Sequence, residues 1–163
     1  MFPEKTLDLA NEVITALRDN DLMIVTAESC TGGLIAGALT AVPGSSSVVH
    51  GGFVTYANKA KAAMLGVPAG MIEDFGAVSE QVALAMATGA RQVSETDISI
   101  AVTGVAGPGG GTKEKPVGLV HIGCSSANLS KHKEMRFGEI GREKIRIATI
   151  DAAFELVLDV LQN

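Results

Sequence analysis

The turn at residues 28–33 (ESCTGG) carries the first side chains that could do chemistry. A short β-branched run precedes this turn and a helix-like stretch follows it, so Ser29 is expected where a strand turns into a helix. Free backbone N–H groups at a helix start can hold an oxyanion, which suits a serine nucleophile. Cys30 could act instead as a thiolate, because the helix dipole favours negative charge there. The turn equally fits a helix cap by Ser29 or Thr31 and a small buried cysteine.

A nucleophilic serine needs a proton acceptor, and lysines and histidines are the candidates. Lys59 and Lys61 lie at the start of a predicted helix, just after the only tyrosine, Tyr56. A lysine that is neutral near pH 7 needs a pKa lowered by about 3, which requires burial or a nearby positive charge. The charge pattern alone favours two solvated lysines. The sequence around each of the three histidines, His50, His121 and His132, likewise favours a structural or solvated side chain over a general base.

The glycine-rich loop at residues 104–116 (GVAGPGGGTKEKP) is a second candidate for ligand contacts. The loop fits neither of the glycine patterns that bind nucleotide phosphates, and no helix follows it. Its backbone N–H groups, together with Lys113, Lys115 and Arg142, could still hold a phosphate in an otherwise acidic protein. A mobile surface loop is the alternative interpretation. No acidic or histidine residues have metal-ligand spacing, so we expect no metal site.

The elements that must position these residues alternate between helix and strand, and a hairpin occurs in the second half. Helices are predicted at residues 6–20, 34–42, 58–65, 68–75, 79–93 and 142–161. Strands are predicted at residues 22–27, 47–56, 98–103, 117–124 and 131–137. The pattern predicts an α/β fold, a three-layer α/β/α architecture with a mixed, mostly parallel sheet. Ligands of such sheets bind at the carboxyl ends of strands, which is where the 28–33 turn and the glycine-rich loop begin.

Length and composition narrow the classes of protein to consider. The 163 residues predict a single domain over the whole chain. The net charge of −5 disfavours a nucleic-acid binder that neutralises phosphates. Two cysteines are too few for a disulfide framework and fit a reducing cytoplasm. The longest apolar stretch, residues 34–42, is far shorter than the roughly 20 residues that span a bilayer, so no membrane partner is expected.

Five blocks of the sequence together resemble the CinA C-terminal domain family. These blocks have the order and spacing of that family and are residues 26–33 (TAESCTGG), 52–61 (GFVTYANKAK), 76–80 (GAVSE), 103–108 (TGVAGP) and 115–118 (KPVG). The resemblance covers nearly the whole chain. Members that resemble this chain are bacterial amidases that hydrolyse the carboxamide of nicotinamide mononucleotide (NMN), giving nicotinate mononucleotide and ammonia. The resemblance therefore implies an enzyme of pyridine-nucleotide salvage that needs no cofactor.

The resemblance also implies roles for individual residues of this chain. Ser29 would be the nucleophile and Lys61 its base, with Tyr56 beside them in a proton relay. Arg142 would contact the phosphate of the substrate. Thr103 and Gly104 would meet the substrate as well. The full set of predicted substrate-binding residues is Cys30, Thr31, Gly32, Thr103, Gly104, Gly107 and Arg142.

Two other functions stay open at this point. The same pocket could belong to a nucleotide-binding regulatory module without turnover, or to an amidase for another small amide. Exposed apolar helix faces in so small a domain favour a homo-oligomer.

Overall fold

A five-stranded sheet runs through the centre of the protein. The structure is a computed structural model and describes residues 1–162. The strands are β1 (Ile24–Glu28), β2 (Val49–Val54), β3 (Ile98–Gly104), β4 (Leu119–Ser125) and β5 (Ser130–Arg136). They lie in the order β2-β1-β3-β4-β5. Strands β2, β1 and β3 are mutually parallel, whereas β4 and β5 pair in the antiparallel sense. The prediction of an α/β fold with a mixed sheet is confirmed.

Helices cover both faces of this sheet. They are α1 (Glu4–Asp19), α2 (Leu34–Thr40), α3 (Asn58–Leu65), α4 (Ala69–Phe75), α5 (Glu80–Ser94) and α6 (Arg142–Leu161). The ends of all predicted helices and strands lie within two residues of the observed ends. None of the helices in residues 1–162 combines the length and apolarity that crossing a membrane requires.

The two faces of the sheet bury two separate hydrophobic clusters, because successive strand residues point to opposite sides. Ile24 of β1 and Ile100 of β3 pack with α1, α2 and α6. Val25 and Ala101, each one residue further along, pack with α3, α4 and α5. With both faces covered, every residue of β1 and β4 is buried. This arrangement is the three-layer α/β/α architecture that the sequence predicts.

The two edges of the sheet differ in chemistry. β5 (SKHKEMR) forms one edge, as its charged sequence predicts, and its side chains are exposed or half-buried. β2 forms the other edge, and the second glycine of its Gly51–Gly52 pair approaches β1 closely. A Cβ on Gly52 would lie only 2.5 Å from the Thr26 hydroxyl oxygen. The carboxyl ends of the three parallel strands meet at one end of the sheet, where the 28–33 turn and the glycine-rich loop lie side by side.

Candidate active site

Ser29 immediately follows β1 and faces a buried lysine. Its Oγ lies 3.0 Å from Nζ of Lys61, a residue of α3 that is 32 positions away in the sequence. The Ser29 backbone N–H donates to the Val102 carbonyl of β3 at 3.0 Å, which ties the residue to the centre of the sheet. Ser29 is 8% exposed. The predicted nucleophile and the predicted base are therefore in direct hydrogen-bond contact.

The Lys61 amine is enclosed by neutral groups. The residue is 1% exposed, and besides Ser29 its Nζ contacts the backbone carbonyls of Thr55 (3.0 Å) and Tyr56 (3.3 Å). Within residues 1–162 no carboxylate forms an ion pair with this amine. Desolvation by burial lowers the pKa of Lys61. A lowered pKa makes the neutral amine accessible, and a neutral amine can accept the Ser29 proton.

The charge-pattern prediction that both lysines are solvated is wrong for Lys61 and correct for Lys59. Lys59 is exposed, whereas Lys61 is fully buried. Residues two apart on a helix point about 200° apart, so α3 directs one of the pair inward and the other to solvent. The charge pattern of α3 does not show which side of the helix the rest of the protein covers.

Glu28, the last residue of β1, holds the 28–33 turn from inside the protein. Its side chain is fully buried. Its carboxylate oxygens accept hydrogen bonds from the hydroxyls of Thr26 (3.2 Å) and Thr31 (2.6 Å) and from the N–H groups of Gly33 (3.0 Å), Ile35 (3.0 Å) and Ala36 (2.9 Å). The carboxylate thus satisfies the N–H groups of Ile35 and Ala36 in the first turn of α2, which no residue of that helix can satisfy.

The expectation that free N–H groups at the start of α2 face Ser29 is wrong, because the Glu28 carboxylate occupies them. The donors that remain belong to the 28–33 turn itself. The N–H groups of Cys30 and Thr31 donate to no backbone or side-chain oxygen of residues 1–162. Gly32 and Gly33 have φ values of +60° and +100°, a backbone conformation that favours glycine and that lets the turn close so tightly.

A cavity of about 210 Å³ opens beside Ser29 and Lys61. Its lining residues are Ser29, Cys30, Tyr56, Asn58, Lys61, Ala77, Val78, Thr103, Gly104, Ala106 and Arg142. Seven of the ten predicted site residues lie in this lining, whereas Thr31, Gly32 and Gly107 do not. A larger cavity of about 290 Å³, lined in part by Arg91 and Asp97, lies at the opposite end of the parallel strands and contains none of the ten.

Thr103 and Gly104 form the wall of the cavity at the end of β3. The Thr103 hydroxyl donates to the Ala77 carbonyl at 2.8 Å, which joins β3 to the segment before α5. Gly104 packs tightly on β4, where a Cβ would lie 2.6 Å from Cγ2 of Val120. Both residues therefore shape the wall, and substrate contact by either stays a prediction.

Tyr56 and Arg142 meet at the rim of the cavity. Tyr56 is 61% exposed, and its phenol oxygen accepts a hydrogen bond from Nη2 of Arg142 at 3.2 Å. Lys61 contacts the backbone carbonyl of Tyr56 rather than the phenol, so a proton relay through the phenol stays a prediction. Nη1 of Arg142 donates to the Gly107 carbonyl at 2.8 Å. Arg142 thereby connects the start of α6 to the glycine-rich loop beside the candidate nucleophile.

The alternative nucleophile and the alternative bases are poorly placed for catalysis. Desolvation by burial raises the pKa of Cys30 to about 12, which leaves a neutral thiol at physiological pH. Nδ1 of His121 lies 2.9 Å from Nε2 of His132, so these two histidines of β4 and β5 bind each other. His50 is exposed on β2. None of the three histidines lines the cavity.

Two site residues carry no role in the sequence interpretation, namely Glu28 and Arg146. Glu28 lies within a recognised block, but only the fold shows that it caps α2. Arg146 of α6 donates from Nε to the Cys30 carbonyl (3.1 Å) and from Nη2 to the Thr31 carbonyl (2.9 Å). Arg146 lies four residues after Arg142, so both arginines are on one face of α6. This spacing is the sequence feature that could have identified Arg146 as a site residue.

Comparison with known proteins identifies the family of this chain. The model of the CinA C-terminal domain family matches residues 6–161. A protein of Acetivibrio thermocellus named as competence-damage inducible is 49% identical over 141 residues, which are 86% of this chain and 34% of that protein. A CinA-like protein of Parasynechococcus marenigrum is 49% identical over 148 residues, 90% of this chain and 35% of that protein. This chain thus spans about a third of the length of these curated relatives.

Solved structures share the whole fold. The crystal structure of the competence/damage inducible protein CihA from Agrobacterium tumefaciens is 54% identical, with a TM-score of 0.96 over 100% of this chain and 99% of that chain. A competence-damaged protein (CinA) superfamily structure from Escherichia coli is 33% identical, with a TM-score of 0.91 over 98% of this chain and 94% of that chain.

Proposed function

Because this chain belongs to the CinA C-terminal domain family, we propose that it is an amidohydrolase acting on the carboxamide of NMN. The products would be nicotinate mononucleotide and ammonia. The observation that carries the proposal is the buried Ser29–Lys61 pair, with 3.0 Å between hydroxyl oxygen and amine nitrogen. A module that only binds nucleotide has no use for a buried lysine that contacts a serine hydroxyl and whose pKa is lowered by burial.

The first step is attack by Ser29 on the amide carbon. Neutral Lys61 takes the hydroxyl proton as Oγ forms the new C–O bond, and the amide π-electrons move onto the carbonyl oxygen. The resulting oxyanion needs hydrogen-bond donors. The N–H groups of Cys30 and Thr31 are our candidates, since they follow the nucleophile directly and have no oxygen acceptor in residues 1–162.

The second step breaks the C–N bond. Protonated Lys61 gives its proton to the departing nitrogen, ammonia leaves, and the nicotinoyl group stays on Ser29 as an ester. Water then attacks the ester with Lys61 again as the base, which releases the carboxylate product and restores the hydroxyl. Every proton transfer uses this chain and water, so the reaction requires no cofactor.

The choice of NMN comes from the family resemblance, and the size of the cavity and the position of Arg142 at its rim are compatible with it. A pyridinium ring withdraws electrons from its carboxamide, and its positive charge next to Lys61 would further disfavour the ammonium form. A volume of about 210 Å³ is smaller than the range typical for a complete drug-sized ligand. The ring and carboxamide would therefore fill the cavity, and the ribose phosphate would extend towards Arg142 and the glycine-rich loop.

Ammonia release from NMN, NAD and nicotinamide tests this proposal. We expect release from NMN by the wild type and none by Ser29→Ala, with the two proteins having matching circular dichroism spectra and melting temperatures. A protein that binds NMN in calorimetry and releases no ammonia would be a binding module. Release from another amide in preference to NMN would retain the amidase class and reject the substrate.

A further inference from the structure

Arg146 lies outside the cavity lining but contacts the 28–33 turn that carries the candidate nucleophile. We propose that Arg146 is a positioning residue that fixes this turn so that Ser29 stays within reach of Lys61. The inference rests on the proposed amidase function for its substrate assay. Its physical basis is a set of contacts that the family resemblance does not assign.

The guanidinium of Arg146 binds two successive carbonyls. Nε donates to the Cys30 carbonyl at 3.1 Å, and Nη2 donates to the Thr31 carbonyl at 2.9 Å. These partners are 116 and 115 residues away in the sequence, so α6 and the turn are joined only by the fold. The guanidinium lies close to Gly32, where a Cβ would be at an ordinary contact distance of 3.4 Å from Nη2. The planar fork holds both carbonyls in one orientation, which a lysine could not do.

Fixing a carbonyl also fixes the N–H group of the same peptide. The peptide between Cys30 and Thr31 is trans, so the carbonyl of Cys30 and the N–H of Thr31 lie in one plane and point in opposite directions. Arg146 therefore sets the direction of an N–H group that we assign to the oxyanion. On the opposite side of the turn, Glu28 accepts from the Thr31 hydroxyl and from Gly33. The turn is thus held through its carbonyls by Arg146 and through its donors by Glu28.

The turn has few hydrogen bonds of its own. Inside it the Gly32 N–H donates to the Ser29 carbonyl at 3.1 Å, and the Leu34 N–H donates to the Thr31 carbonyl at 3.2 Å. Without Arg146 the Cys30 carbonyl loses its only protein partner in residues 1–162, and its peptide becomes free to rotate. A displacement of about 1 Å at a reacting group can cost about 100-fold in rate. Loss of Arg146 should consequently act on kcat rather than on substrate affinity.

The test compares Arg146→Ala and Arg146→Lys with Lys144→Ala. Lys144 is exposed in the same turn of α6, so its removal takes away the same charge without touching the 28–33 turn. For NMN hydrolysis by Arg146→Ala we expect kcat to fall about 100-fold with KM within about threefold of wild type, and Arg146→Lys to be intermediate. Lys144→Ala should match the wild type. Methylguanidine should restore part of kcat in Arg146→Ala and leave Lys144→Ala unchanged.

A second assay needs no amide substrate. A fluorophosphonate probe labels nucleophilic serines, and its rate of reaction with Ser29, with Ser29→Ala as the blank, should fall in Arg146→Ala in parallel with kcat. If the wild type is labelled but releases no ammonia from NMN, the proposed substrate fails and the labelling rates alone decide the role of Arg146.

Wild-type kcat and labelling rate in folded Arg146→Ala would overturn the positioning role. The role would also be overturned if Arg146→Ala has a lower melting temperature but a wild-type kcat when ammonia release is divided by the amount of Ser29 that the probe labels. The contact would then be structural only. If Arg146→Ala does not fold, Arg146→Lys decides: wild-type kcat in that variant excludes the role, and an intermediate kcat that methylguanidine does not alter supports it.

Discussion

Replacing Glu28 by glutamine should destabilise the protein strongly despite the near-identical shape of the side chains. One carboxylate oxygen accepts from Thr31, Gly33 and Ile35, and the other accepts from Thr26 and Ala36. An amide has one acceptor oxygen only, so its nitrogen must face the second group of donors. The Thr26 hydroxyl can rotate to accept from that nitrogen, but the Ala36 N–H cannot.

The magnitude follows from this count. The Ala36 N–H changes from a charge-assisted hydrogen bond to an unsatisfied buried donor, which costs about 1 to 3 kcal/mol. The three bonds on the other oxygen become neutral, and neutral hydrogen bonds are roughly half as strong as charge-assisted ones. Relief from burying a charge offsets part of the loss. We expect a decrease of about 2 to 4 kcal/mol in the free energy of unfolding, or roughly 6 to 12 °C in melting temperature.

Urea denaturation of Glu28→Gln at pH 7 measures this effect, with Glu12→Gln as the control. Glu12 is exposed on α1, so its substitution should change the unfolding free energy by less than about 0.5 kcal/mol. A Glu28→Gln protein as stable as the control variant would refute the argument that a buried carboxylate organises the 28–33 turn. The same variant should also lose activity in proportion to the disorder it introduces next to Ser29.

Two further predictions concern Arg142 and Lys61. NMN should be a better substrate than nicotinamide riboside by about tenfold or more, because Arg142 and the glycine-rich loop would bind the phosphate, and Arg142→Ala should chiefly raise KM. Equal kcat/KM for nucleotide and riboside would reject that phosphate site. Burial lowers the pKa of Lys61 from 10.5, so between the lowered value and 10.5 the folded state binds fewer protons than the unfolded state. The free energy of unfolding of the wild type should therefore rise with pH across this window, relative to that of Lys61→Met. Urea denaturation of both proteins at pH 7 and pH 9.5 measures this change. A difference in unfolding free energy between the two proteins that is independent of pH would contradict a lowered pKa.

Local sequence patterns are sufficient to predict the helices, the strands and part of the candidate site. The helix periodicities, the charged edge strand β5 and the turn after β1 follow from spacing and residue type, and all three are found in the fold. Ser79 illustrates the same point, since it is the predicted start of α5 and its hydroxyl accepts from the Val82 N–H.

The parts that sequence reasoning missed depend on contacts between distant segments. The burial of Lys61 depends on how α3 packs against α5 and on its contact with Ser29, which a charge pattern on one helix does not contain. The resemblance identified Lys61 where the pattern failed. The contact from Arg146 to the turn crosses more than a hundred residues, so no local pattern could assign it. Glu28 lies in the first of the five recognised blocks, but its role as the cap of α2 follows only from three-dimensional proximity.

The most direct test of the Ser29–Lys61 dyad is the kcat for ammonia release from NMN by Lys61→Met, measured beside Lys59→Met. The two lysines lie two residues apart on α3, one buried against Ser29 and the other exposed. Removing a general base costs roughly 100- to 10,000-fold, so we expect a loss of that size for Lys61→Met and less than about a twofold change for Lys59→Met. Turnover of NMN by a folded Lys61→Met protein at close to the wild-type rate would contradict the dyad.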